Sequence, residues 1–469
     1  VIIDSTDYLV LHPDGYFDGT QGARDLLYFV CNDEVVDLAQ LKDPLYLPGL
    51  VEKIMTGKPI NLKKLSELDI CEALPLVDSI KGKPYHYRIT PRKIGLERVE
   101  VYVNDKRVFN LPVSTLRRVD QAYEFELDEE ALSLHLIPGA KNKVIVQGIV
   151  RTDAGSELKS RGFILSTPGR KGEMTPPRFF GLMIGVNEYK DPQLRLQYPV
   201  KDAQDMGQAL EAAAVKLLGR ENVFMYMVHS HVKPGYVYNT PEKEGIRQAL
   251  EDIGQKARPE DLLFIFFAGH GTMQGTDEKL FTFLTAEASQ LNPNTGISTR
   301  EMQEWLSFEG PHKMRANKTI LIIDACNSGQ ARKEMIAMLA RTDDDTRRIR
   351  QVEDLKDKSG MFILAASAPD QAAYEVPSLE QGLLTYCLLS ILKNNPDVLD
   401  DGKYLNVQKW FLESEQMQKQ LAESLGLQQN AQPLGSANIR IGIVDDEVKG
   451  SIVLAKEKPN TITSAIIKL

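Results

Sequence analysis

The chain has 469 residues, 42% hydrophobic and 26% charged, a balance that excludes a disordered tail, a collagen-like rod and a coiled coil. At about 150 residues per domain, that length implies roughly three domains. Lys and Arg total 56 against 65 Asp and Glu, a net charge of −9, so no bulk positive field is available to hold nucleic acid.

The chain starts VIIDSTDYLV, without Met and with no Lys or Arg before Arg24, which matches neither a signal nor a transit peptide and reads as the cut edge of a longer protein. Residues 1–82 carry a Pro13-Asp14-Gly15 turn between short strand-like runs and then a more helical apolar spacing. This stretch reads as a connector, the end of a truncated upstream domain. Over 83–166 the period changes to two, in HYRI, RVEVYVNDKRVF, YEFEL, KVIVQGIV and RGFIL, divided by Pro, Gly and Asn-Asp turns. The pattern predicts a small all-β, Ig-like sandwich. TPGRKGEMTPP at 167–177 has no periodicity and is a linker.

From 178 to 445 short apolar strands (FFGLMIGV, NVFMYMV, DLLFIFFAG, KTILIIDAC, MFILAASA) alternate with amphipathic helices starting near 201 and 241. That alternation predicts an α/β domain with a mostly parallel sheet flanked by helices; residues 446–469 form a C-terminal tail. No apolar run approaches the about 18 to 20 residues of a spanning helix, so no membrane association is expected. The four cysteines, Cys31, Cys71, Cys326 and Cys387, stand far apart with no C-x-x-C pair. They suit neither a disulfide framework nor a thiolate zinc site, and point to a reducing cytoplasm.

In parallel sheets reactive groups gather beyond the carboxyl ends of the strands. His270 follows one strand in FFAGHG, and Cys326 follows another in DACNSG. A thiol needs a neighbouring imidazole to become nucleophilic at neutral pH, and Cys326 at the start of a following helix would gain from its dipole. Taken singly, Cys326 reads as a buried small hydrophobe and His270 as a loop histidine. Together, at two strand ends with glycines beside them, they read as a nucleophile and its base.

The ordered strings GLMIGVNEY, YPVKDAQDM, FIFFAGHG, LIIDACNSG and LAASAPDQAAYE resemble the bacterial caspase-like cysteine peptidases, relatives of metacaspases, paracaspases and caspases. The resemblance spans about 178–440, and the 56-residue separation of His270 from Cys326 agrees with the caspase order. More loosely, the stretch before 178 is similar to the region between a WD-repeat propeller and a caspase-like domain. The resemblance implies that Cys326 is the nucleophile, that His270 is the general base and later the acid, and that the amides of Gly271 and Cys326 form the oxyanion hole. No acidic orienter for the base is visible, consistent with a dyad.

Caspases begin this cysteine loop with Gln-Ala-Cys; here it reads Asp324-Ala325-Cys326. Asp324 and Asp202 match the two acidic residues that metacaspases place in the pocket for the residue before the cleaved bond (S1), and Leu196 falls where caspases keep an Arg, with Arg195 beside it. Two recessed carboxylates repel an acidic side chain and pair with a guanidinium or ammonium, so cleavage is expected after Arg, then Lys. The blander readings are a helix N-terminal carboxylate for Asp202 and a loop brace for Asp324. Asp370 and Glu375, in APDQAAYE, are further cleft candidates or solvated loop charges. The four arginines of RTDDDTRRIRQVEDLK at 341–356 sit where caspases carry a cleaved linker, although its i,i+4 charge pairs favour a solvated helix.

His229 and His231 lack a third ligand nearby, and the run from Asp397 to Gln408 lacks the carboxylates of an EF-hand, so no metal site is read. No cofactor is expected; calcium activation stays open without an identified site. Neither a G-x-G-x-x-G after the first strand nor a Walker A string is present, and Cys387, Trp305 and Trp410 read as core. The function expected is a cysteine endopeptidase cutting protein substrates after Arg or Lys, acting in bacterial defence or cell death under an upstream sensor domain or a regulatory protein. The alternatives are a catalytically weak adapter on the same fold and a CHAT- or gingipain-like peptidase of the same clan.

Overall fold

The computed structural model describes residues 8–20, 23–24, 26–31, 34–47, 50–55, 70–153, 155–169, 175–229, 237–274, 280–289, 295–307, 313–327, 361–366, 373–427, 429, 431–434, 439–454 and 467–468. The chain divides between Met174 and Thr175 into two units.

The first unit is built on two antiparallel sheets. One orders Leu76–Ser79, His86–Thr90, Ala122–Glu126 and Arg117–Val119; the other orders Glu157–Lys159, Lys141–Arg151, Leu96–Val103 and Lys106–Pro112, with Phe163–Pro168 also on Lys141–Arg151. Tyr87 and Ile89 of the first share one apolar cluster with Val99, Val101, Val144 and Val146 of the second. The alternation read from the sequence is the alternation of burial along Lys141–Arg151. The Asn104-Asp105 pair, both at positive φ, turns the chain between two strands of the second sheet. The stretch read as a connector forms two short hairpins, Leu9–Leu11 with Phe17–Gly19 and Tyr28–Cys31 with Glu34–Asp37. Its apolar residues, among them Leu9, Phe17, Leu41 and Leu45, cluster with Val150 and Leu158 of the second sheet.

In the second unit the strands are β1 (Phe179–Gly185), β2 (Val223–Val228), β3 (Val237–Asn239), β4 (Leu262–Gln274), β5 (Leu280–Leu284), β6 (Gly296–Ser298), β7 (Lys318–Asn327), β8 (Met361–Ala365) and, in a separate small sheet, β9 (Tyr374–Val376) and β10 (Gln381–Gly382). The helices that bear on the site are α1 (Pro199–Leu218), α2 (Lys243–Lys256), α3 (Leu383–Asn394) and α4 (Val407–Ser424). The main sheet runs β3-β2-β1-β4-β7-β8 with Gln432–Leu434 at its far edge, and β5 with β6 extends it from β4. All pairs from β3 to β8 are parallel, while Gln432–Leu434, β5 and β6 pair antiparallel. Both faces are covered, which is why the strands read as apolar runs rather than alternations.

From β1 the chain builds outward through β2 and β3, then crosses back to place β4 on the other side of β1. The strand order therefore reverses between β1 and β4, and loops leaving those two strands part to form a crevice at their carboxyl ends. β9 pairs with β10 and, on its other edge, with Ile467–Lys468. Cys387, Trp305 and Trp410 are buried. No described helix is long and apolar enough to cross a membrane.

Candidate active site

β4 and β7 outrun their neighbours. Pairing of β1 with β4 ends at Gly185 opposite Ala268, and pairing of β7 with β8 ends at Ile323 opposite Ala365, but β4 and β7 stay in register to Gly271 opposite Asn327. In that ladder His270 stands opposite Cys326. Adjacent strands lie about 4.8 Å apart, so the two backbones are held at neighbouring positions beyond the reversal point. The helix expected after Cys326 falls outside the described residues.

The His270 ring is 4% exposed, and its Nε2 lies 2.8 Å from the Leu194 carbonyl oxygen. A carbonyl can only accept, so Nε2 carries the proton and Nδ1 keeps the lone pair. Among the described residues the buried Nδ1 has no hydrogen-bond partner. Removal from water brings the imidazole pKa down to about 4, against a smaller opposing effect of the Leu194 carbonyl, so the ring is neutral at pH 7. The His270 backbone N–H donates to Tyr189 Oη at 2.9 Å, and the two rings lie 5.0 Å apart between centroids. Gly269 admits this packing, since a Cβ there would come within 2.8 Å of Tyr189 Oη.

Beside this pair lies a cluster of buried carboxyl groups. Asp202, in the first turn of α1, accepts from the Gly382 N–H with both oxygens, at 3.3 and 3.1 Å. Asp324, two residues before Cys326, accepts with Oδ2 from the Thr385 hydroxyl at 2.6 Å and from its N–H at 3.2 Å. A Cβ on Gly382 would stand 2.9 Å from Asp324 Oδ2 and 3.0 Å from Asp202 Oδ2, so glycine is what lets both acids meet there. Glu375 on β9, opposite Gly382, accepts with Oε1 from the N–H groups of Gln197 and Tyr198 at 2.9 and 2.8 Å. Burial, with Asp324 nearby, holds Asp202 well above the usual carboxylate range. Burial pushes Asp324 up to about 6 despite its bonds from Thr385, and burial likewise raises Glu375. Asp324 Oδ1, Glu375 Oε2 and Gln381 Oε1 are buried and have no hydrogen-bond partners among the described residues. An acceptor-rich, donor-poor pocket of this kind suits a cation with several N–H groups.

Asp202, Asp324 and Glu375 thus come together, and Asp324 braces its strand end against Thr385. Leu196 is core, whereas Arg195 is exposed and paired with Glu188 at 2.8 Å, so no cation from this loop enters the pocket. Asp370, His231 and the arginine-rich 341–356 segment lie outside the described residues. Among the described residues no group of three or more His, Cys, Asp or Glu is arranged to hold a metal. Sequence reasoning missed the Leu194 carbonyl, Tyr189, Gly382 and Thr385. Tyr189 lies in the GLMIGVNEY string and was within reach; a backbone carbonyl has no sequence signature.

Residues 178–425, more than half of the chain, match a family model described as "Caspase domain". No curated protein matches the sequence. Among solved structures, a Geobacter sulfurreducens protein is 13% identical, the match covering 56% of this chain and 95% of that one at a TM-score of 0.35. A polysaccharide deacetylase from Bacillus cereus is 8% identical, the match covering 60% of this chain and 78% of that one at a TM-score of 0.15. Superpositions that loose carry no argument about this chain.

Two outcomes are expected. Asp324 holds its proton to about pH 6 when folded but only to its ordinary 3.8 when unfolded, so it costs stability increasingly as pH rises through that window. Asp324→Asn should therefore raise the unfolding midpoint at pH 8 by a few degrees, about 2 to 4 °C per kcal/mol, and give no gain at pH 4. Tyr189→Phe strands the buried His270 N–H and should cost about 1 to 3 kcal/mol in denaturant unfolding.

Proposed function

The chain belongs to the caspase-domain family, and on that premise we propose that it is a cysteine endopeptidase cutting proteins after arginine and, less readily, lysine. The observation that carries this reading is the register of β4 and β7, which sets His270 opposite Cys326. In the proposed reaction His270 Nδ1 takes the thiol proton as the Cys326 sulfur attacks the scissile carbonyl carbon. The oxyanion so formed is held by the N–H groups of Gly271 and Cys326, a contribution of about 2.7 to 4 kcal/mol per donor. The imidazolium then gives its proton to the leaving amine, and a water deprotonated by His270 releases the acyl group from sulfur. The Leu194 carbonyl supports both steps, since it keeps Nε2 protonated and stabilises the imidazolium.

Selectivity for a basic side chain rests on Asp202, Asp324 and Glu375. Three acids share a pocket that their own burial keeps from full ionisation, so a guanidinium supplies the donors and the charge that the pocket lacks. Arg is preferred over Lys because its planar fork reaches two carboxylates at once. We read the paired sheets of the first unit as an Ig-like sandwich that presents a partner surface, and place the peptidase in a cytoplasmic defence or cell-death response controlled from an upstream sensor region.

The test is a panel of fluorogenic peptides ending in Arg, Lys or Asp, offered to the chain and to Cys326→Ala, with and without calcium. Arginyl peptides should be turned over most rapidly, and Cys326→Ala should be inactive. Turnover of aspartyl peptides in preference would overturn the pocket assignment; no turnover of any peptide would favour the adapter. Asp202→Asn should lower arginyl kcat/KM by about 10- to 100-fold, the loss expected of one charged hydrogen bond.

A further inference from the structure

Glu375 is joined to the pocket and to the base at once. Its Oε1 accepts from Gln197 N–H and Tyr198 N–H, while its Oε2, on the same buried carboxyl, has no hydrogen-bond partner among the described residues. Gln197 and Tyr198 belong to the segment that also carries Leu194, whose carbonyl accepts from His270 Nε2. That segment is braced from within. Asn187 Oδ1 accepts from Val200 N–H at 2.7 Å, Asn187 Nδ2 donates to the Gln197 carbonyl at 2.9 Å, and Leu196 N–H donates to the Asn187 carbonyl at 3.0 Å.

The other end of the linkage is anchored as well. Tyr374 N–H donates to Gln429 Oε1 at 2.9 Å, and Gln429 Nε2 donates to the Ala366 carbonyl at 3.1 Å. The same carbonyl accepts from Gln418 Nε2 of α4 at 3.0 Å, and Gln418 Oε1 accepts from Ala431 N–H at 2.6 Å. Both glutamines are buried and use both ends of their amides. The backbone leading into Glu375 is therefore fixed, and displacement of its carboxyl group passes to the 194–198 segment rather than into β9.

Building on the peptidase reading, we infer that Glu375 is a positioning residue that couples occupancy of the specificity pocket to the orientation of His270. A cation on Oε2 favours the ionised carboxylate, and an ionised acceptor binds amide N–H groups about twice as strongly as a neutral one. Filling the pocket thus tightens Oε1 on Gln197 and Tyr198, and with them the carbonyl that orients the imidazole. A basic side chain then raises kcat as well as lowering KM, because part of its binding energy is used to order the base.

Alkylation of Cys326 by iodoacetamide tests this, because the reagent has no side chain to fill the pocket; Cys326→Ala supplies the blank. Glu375→Ala removes the acceptor and should slow alkylation and arginyl kcat by about 10-fold each. Glu375→Gln keeps an oxygen for the two amides and should recover most of the alkylation rate while arginyl KM stays raised. Benzamidine, a cation without a scissile bond, should accelerate alkylation of the native chain severalfold and that of Glu375→Gln far less, a comparison that stands even if the alanine variant does not fold. Native alkylation rates in Glu375→Ala with only KM raised would make Glu375 a pocket charge alone and overturn the coupling. Failure of the native chain to cleave arginyl peptides would instead remove the peptidase reading beneath it.

Discussion

The parallel ladder between β4 and β7 is the constraint on which the rest of the site depends. Their shared hydrogen bonds continue after β1 and β8 have stopped, so His270 and Cys326 ride on the last rungs of a ladder that starts in the core. Below those rungs the strands are buried on both faces, with Phe264, Phe266, Ile320 and Ile322 lining one and Leu263, Ile265, Leu321 and Ile323 the other. A one-residue slip would move every one of these side chains to the opposite face and break the close packing of both faces. The register is thus enforced by the core, and the pairing at the strand ends follows.

Around that ladder the polar groups are arranged at a cost to stability. Asp202, Asp324 and Glu375 are all buried, and burial, joined for Asp202 and Glu375 by the nearby Asp324, raises the proton affinity of each. Buried like charges are a poor way to stabilise a domain, and perturbed acids in a crevice are a common mark of function. Here each acid is held by backbone N–H groups: Asp202 by Gly382 and Asp324 by Thr385, both at the start of α3, and Glu375 by Gln197 and Tyr198. The acids therefore tie the start of α1, the end of β7 and the β9–β10 hairpin into one wall. A bound cation would offset the charge cost that this wall carries.

His270 is organised differently, by atoms that ordinary residue chemistry does not advertise. Its tautomer is set by a main-chain carbonyl and its backbone by a tyrosine hydroxyl. Because the Leu194 carbonyl sits in the same short segment as the amides that hold Glu375, the acidic cluster and His270 share a support.

The alternating β-branched runs of the first unit and the apolar strands of the second were legible because local burial periodicity is written residue by residue, as in Lys141–Arg151 and Phe179–Gly185. His270 and Cys326 were legible as candidates because each follows an apolar strand beside glycines. Asp202 and Asp324 were reached only by resemblance, since 122 positions separate them and nothing local joins an α1 carboxylate to the end of β7. Whether Arg195 or Leu196 faced the pocket was settled by packing: Leu196 enters the core and Arg195 pairs with Glu188 outside it. The sequence by itself determined the element types and the two strand ends, because these follow from local periodicity and residue chemistry. Only the tertiary structure decided which acid meets which amide and which ring nitrogen of His270 keeps its lone pair, because those contacts close between segments as far apart as Gln197 and Glu375, and no local pattern encodes them.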